Sequence, residues 1–167
     1  MNILSEEFKI VNTNKEDIKV ISRNIFLNEK EYVVGLRMKI LDDNNFLLNY
    51  NIDKYVTTNR NDINNVLNEI INSSIKNCEV IKSMFPNDNV GLNKDLNVII
   101  YNNPVKVFNG SNYVYNMVIQ SIDDNSVIVD NEKILLSNLV NQFHENKRNR
   151  ITKFNQYFRN KYNKVKC

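Results

Sequence analysis

From Ile63 to Phe85, apolar residues return at the spacing of one helix face: Ile63, Val66, Leu67, Ile70, Ile71, Ile75, Cys78, Ile81, Met84 and Phe85. The spacing predicts a helix beginning near Thr58 or Asn59, with Asp62 in its first turn, where a negative charge suits the helix dipole. Pro86, the polar run to Asn89 and then Gly91 end it. The chain holds 34 Asn and no Ala. Because Asn is a poor helix former, such a helix has to rest on a packed apolar face.

Strand-like segments flank this helix. Glu6 to Val11 alternates weakly, and Ile18, Val20 and Phe26 continue the pattern. Tyr32 to Leu41 and Phe46 to Ile52 are joined by Asp42-Asp43-Asn44-Asn45, a polar hairpin loop. Beyond the helix, strands are expected at Leu96 to Tyr101, Val105 to Phe108, Tyr113 to Ile122 and Val127 to Asp130, with turns at Asn109-Gly110 and Asp123-Asp124-Asn125. Lys133 to Leu136 is a last short strand or the lead-in to a final helix capped by Ser137 or Asn138. That helix carries the stripe Leu139, Val140, Phe143, Ile151, Phe154, Tyr157, Phe158, Tyr162 and Val165. The fold class is therefore α+β, with antiparallel meanders of small-barrel type, one central helix and one C-terminal helix.

One pattern recurs. Tyr32-Val33, Leu41-Asp42-Asp43-Asn44 and Phe46-Leu47-Leu48-Asn49 return 81 residues later as Tyr113-Val114, Ile122-Asp123-Asp124-Asn125 and Val127-Ile128-Val129-Asp130. A tandem duplication of a meander-plus-helix unit, over 1–85 and 96–160, accounts for it. Hairpins of β-branched residues around Asp/Asn turns would also produce it by coincidence.

The bias toward Asn, Lys, Ile and Tyr, whose codons are AT-rich, points to an AT-rich genome, as in viruses, phages, organelles and low-GC bacteria. It also makes the glycosylation-type triplets Asn72-Ser73-Ser74 and Asn109-Gly110-Ser111 matches of chance. Two cysteines, Cys78 and Cys167, make neither a disulfide framework nor a metal cluster. Glu6 and Glu7 stand where a signal peptide needs an apolar run, and no uncharged apolar stretch reaches the ~18 residues of a membrane span. The expected compartment is reducing and cytoplasmic, that of a host cell or a virion if the protein is viral.

Catalytic chemistry finds little to stand on. His144 is the single histidine, and Glu145 beside it starts no zinc-binding helix because no second His follows. The pairs Asp42-Asp43 and Asp123-Asp124 could hold a cation or do acid/base work, but both sit at hairpin tips, where Asp suits the turn itself. Three glycines make no phosphate loop. No enzyme activity, cofactor, metal or small-molecule ligand is expected.

Charge is more informative. Residues 144–167 hold eight basic side chains against Glu145 alone, a net +7, while residues 1–143 carry a net −4. The chain therefore reads as a mixed body, 1–143, followed by a basic helix, 144–167. Lys147, Arg148, Arg150, Lys153, Arg159, Lys161 and Lys164 are the candidates for contact with nucleic acid or an acidic partner. Phe154, Tyr157 and Phe158, at helical spacing, are the candidates for packing against a partner helix. Val105 to Leu136 is similar in rhythm to small SH3- or OB-like barrels. The order helix, three strands, helix from residue 60 resembles double-stranded-RNA-binding domains, without the Ala-rich, Gly-Ser-Lys-Lys-type start of their second helix, so that function is not carried over. The expected function is a non-enzymatic structural, assembly or adaptor part of a virion, such as a phage head-tail connector, acting on a protein partner or by self-assembly. The alternative is a nucleic-acid-binding regulator that uses the basic helix.

Overall fold

Alternating side chains, clearest along Lys30–Ile40 and Asn45–Tyr50, and polar turns between the strands build a five-stranded antiparallel meander from the first sixty residues. Its strands β1 (Lys9–Asn12), β2 (Ile18–Leu27), β3 (Lys30–Ile40), β4 (Asn45–Tyr50) and β5 (Lys54–Asn59) lie side by side in chain order. The computed structural model describes residues 3–101 and 104–166. Cys167 and the side chains of Val165 and Lys166 lie outside the described residues.

One face of the sheet is core. Ile21, Ile25 and Leu27 of β2, Val34, Leu36 and Met38 of β3, and Phe46 and Leu48 of β4 are all buried. Helix α1 (Ile63–Met84) buries Ile63, Leu67, Ile70, Ile71, Ser74, Cys78 and Ile81, and the Arg23 guanidinium of β2 donates to Asn68 Oδ1 of the helix at 3.0 Å. Contrary to expectation, α1 does not begin near Thr58. Tyr55-Val56-Thr57-Thr58 is β-branched and aromatic, and it completes the sheet as its edge strand. Asn59 Oδ1 then accepts the N–H groups of Asn61 and Asp62, at 3.0 and 2.9 Å, and turns the chain into the helix.

The opposite face of this sheet is open. Strand β3 pairs with β4 only from Arg37 to Ile40. Beyond that the two strands part, and the turn at 93–97 enters the gap. Gly35 N–H donates to Lys94 O at 2.7 Å, and Asn51 N–H donates to Asp95 O at 3.2 Å. A Cβ at Gly35 would stand 2.9 Å from the Ile21 carbonyl oxygen, so the position takes no side chain without shifting β2.

Two compact units share the chain: residues up to 81 with 91–98, and residues 82–90 with 99 onward. The first holds 11 basic and 13 acidic residues, net −2, and the second 11 and 6, net +5. The remaining strands are β6 (Asn89–Leu92), β7 (Val98–Tyr101), β8 (Val105–Lys106), β9 (Asn112–Tyr113), β10 (Asn116–Ile119), β11 (Ser121–Asp123), β12 (Ser126–Val129) and β13 (Glu132–Leu135). They make three small sheets, ordered β10-β7-β6, β11-β12-β13 and β8-β9. Helix α2 (Leu139–Lys166) follows a short 3-10 turn at Leu136–Asn138.

Helix α2 runs unbroken through residues 143 and 144, and it lies whole within the second unit. The two hairpins of the repeated motif exist but are built differently. Strand β3 meets β4 with Ile40 opposite Phe46, across a four-residue loop. Strand β11 meets β12 with Ile122 opposite Val127, across Asp124-Asn125. Relative to the sequence match, the registers differ by one residue, which exchanges the partners across each strand pair.

Candidate interaction surface

Helix α2 has 28 residues, about 42 Å at 1.5 Å per residue. Its first half is anchored by aromatic packing. Phe143, fully buried, meets Phe85 edge-on at 5.2 Å and Tyr115 at 5.3 Å between ring centroids. Burial pushes the Tyr115 hydroxyl above its usual pKa of 10.0, against the opposing pull of a hydrogen bond with Asn146 and of the Arg150 charge. The Arg150 guanidinium lies 5.2 Å above the Tyr115 ring.

A hairpin packs against the second half. Strands β8 and β9, joined across Asn109-Gly110, bring Phe108 and Tyr113 to the helix. Phe108 N–H donates to Asn155 Oδ1 at 2.6 Å, and its ring meets Tyr162 at 6.1 Å and the Arg159 guanidinium at 5.2 Å. Tyr113 meets Phe154 at 4.9 Å, and Phe154 and Tyr157 flank Phe158 at 5.9 and 5.3 Å. The band is only partly covered: Phe154 stays 41% exposed, Tyr162 50% and Tyr157 58%.

The structure thus sorts the sequence candidates. Arg150 and Arg159 lie over rings of their own unit, and Lys161 over the ring of Tyr157 at 6.0 Å. Lys147 is half-buried, while Arg148, Lys153 and Lys164 are exposed. Among the described residues, no salt bridge joins any of these seven to a carboxylate. Phe154 and Phe158 face their neighbours on the hairpin and helix, while Tyr157 faces outward. Phe108 and Tyr113, which complete the band, were missed. Their signal was an aromatic on each side of a tight Asn-Gly turn.

Among the remaining candidates, Asp42 and Asp123 hold their own turns. Asp42 Oδ1 accepts the N–H groups of Asn44 and Asn45, both at 2.8 Å, closing the β3–β4 loop. Asp123 Oδ1 accepts the N–H of Asp124 at 3.0 Å. His144 is exposed beside Phe143, and Cys78 is buried in α1. Among the described residues, no three His, Cys, Asp or Glu side chains gather as a metal site, and no helix is long and apolar enough to cross a membrane.

Hydrogen bonds from Asn45 and Asn44 hold the Asp42 carboxyl below its usual 3.8. The turn's contribution is therefore complete above 3.8 and is lost as pH falls through the lowered folded value. The stability difference between wild type and Asp42→Ala, measured by urea unfolding, is expected to shrink from neutral pH to acid below 3.8. A difference that stays constant would mean the carboxylate does not hold the turn.

Comparison with known protein families, with curated proteins and with solved structures gives no match to this chain.

Proposed function

We propose that this chain is a non-enzymatic assembly part, of the kind a virion uses, that docks through the outer face of α2. The observation that carries the reading is the exposed aromatic band of Phe154, Tyr157 and Tyr162, set among cations that have no carboxylate partner among the described residues. Tyrosine, phenylalanine and arginine are the residues that protein interfaces concentrate at their centres, with lysine kept to the rim. Arg150 and Arg159 already lie over rings, at 5.2 Å, so their side chains lose little freedom when a partner arrives.

Light scattering on a sizing column, with absorbance read at 260 and 280 nm, tests this. A discrete oligomer free of nucleic acid, reduced to monomer by Tyr157→Glu with Phe154→Ala, is the expected result. A monomer free of nucleic acid would overturn it. The unpaired cations favour one other reading, a nucleic-acid binder. That reading expects co-purifying nucleic acid that salt strips away, and weaker binding across all sequences when Arg148, Lys153 and Lys164 are changed to Gln.

A further inference from the structure

The open face of the five-stranded sheet has properties that the reading of α2 does not use. Its floor is set by strand register. One row runs Val11, Val20, Arg37, Asn49 and Tyr55 across β1 to β5, and the next runs Ile18, Lys39, Leu47 and Thr57. Between these rows and the turn at 93–97 lies a groove of about 720 Å³, with Val33, Tyr50, Asn51, Ile52, Lys94 and Asp95 also on its walls. That volume is within the range of small-molecule sites.

Three cations and one carboxylate line the groove. Arg37 and Lys39 stand two residues apart on the central strand, about 6.6–6.8 Å along it. Among the described residues neither side chain has a hydrogen-bond or ion-pair partner. Two unpaired cations among Ile18, Val20, Val33 and Leu47 call for an anionic head on an aliphatic body. An extended peptide is disfavoured, because two of the backbone donors where β3 and β4 part, Gly35 N–H and Asn51 N–H, already donate to Lys94 O and Asp95 O of the 93–97 turn. A nucleic-acid strand is disfavoured because the floor between the cations is aliphatic, whereas successive bases need successive rings.

We infer that this groove binds a small anionic amphiphile, a carboxylate or phosphate head carried on a hydrocarbon chain. The head meets Arg37 and Lys39, with Asn49 beside them and Lys94 at the rim. The chain lies over Val20, Ile18, Leu47 and Val33. The site lies wholly within the first unit and is independent of α2.

Titration calorimetry of the full chain, with each ligand kept below micelle formation, tests the assignment. Dodecanoate and dodecyl phosphate are expected to bind saturably at one site, and whichever binds tighter identifies the head group. Dodecanol is expected to bind at least about tenfold more weakly, the effect of losing one charge-assisted hydrogen bond. Arg37→Gln with Lys39→Gln is expected to weaken the anions by a similar factor. Both side chains are exposed, so an unchanged thermal melt will show that the variant is folded. Lys153→Gln on α2 is expected to leave binding unchanged. The inference is overturned by non-saturable uptake, by equal affinity in the double variant, by dodecanol binding as well as the anions, or by oligothymidylate displacing them.

Discussion

Phe143→Ala is expected to remove about 3–5 kcal/mol of stability, read as a drop in the urea midpoint at unchanged slope. The side chain is fully buried, and it is the ring that both Phe85 and Tyr115 pack against, at 5.2 and 5.3 Å. Truncation therefore costs the transfer energy of the ring, leaves a cavity between two other aromatics, and removes two oriented ring contacts. Against total stabilities of about 5–15 kcal/mol, the loss is a large fraction. Phe154→Ala is the internal control. Its ring is 41% exposed, so its removal opens no closed cavity and should cost far less. If the two variants lost equal stability, the aromatic anchor of α2 would lie along the hairpin rather than at Phe143.

That contrast bears on function as well as folding. The proposed interface uses side chains that the fold can spare, whereas the anchor uses ones it cannot. An interface variant such as Tyr157→Glu should therefore change association while leaving the melting profile nearly intact. Tyr157 is 58% exposed, and among the described residues its ring meets Phe158 and Lys161 of its own helix.

What could be read from the sequence follows from period and length. The stripe of α1 spans six turns, and its period survived the Asn-rich background because the apolar positions alone carry it. The hairpin β3–β4 was legible because alternation and a polar loop coincide there. Strand β5 was hidden because Lys54 to Asn59 runs straight into the helix start, with no Gly or Pro to mark the boundary. Strand β6 was hidden because Gly91 read as a helix stop. In the structure a Cβ there would collide with the Tyr32 ring, whose Cε1 and Cζ stand at 2.7 Å, so the glycine serves close packing inside the first unit. The basic character of α2 was plain from composition. Its aromatic partners Phe108 and Tyr113 were not, because a pairing 40 or more residues apart leaves no local period. The groove was illegible for the same reason. Its residues come from four strands and a distant turn, and only the register places Arg37 between Val20 and Asn49.

Register is what the second large prediction tests. Phe46 and Leu47 are neighbours on β4, and the pleat sends them to opposite faces. Phe46 is fully buried on the face that α1 covers, opposite Ile40 and Thr58, so Phe46→Ala is expected to cost about 3–5 kcal/mol. Leu47 lies half-buried on the open face, opposite Lys39 and Thr57, and lines the groove. Leu47→Ala exposes surface that already borders solvent, so its cost should stay below about 1 kcal/mol. Its effect should appear instead in the titration with dodecanoate, where the loss of aliphatic floor weakens binding without altering the preference for a charged head. A shift of the strand by one residue would exchange these outcomes, making Leu47 the stability residue and Phe46 the ligand contact. Urea unfolding of both variants, followed by titration of each, separates the two arrangements. A severe Leu47→Ala beside a mild Phe46→Ala would move the groove to the other side of the sheet and remove Arg37 and Lys39 from it.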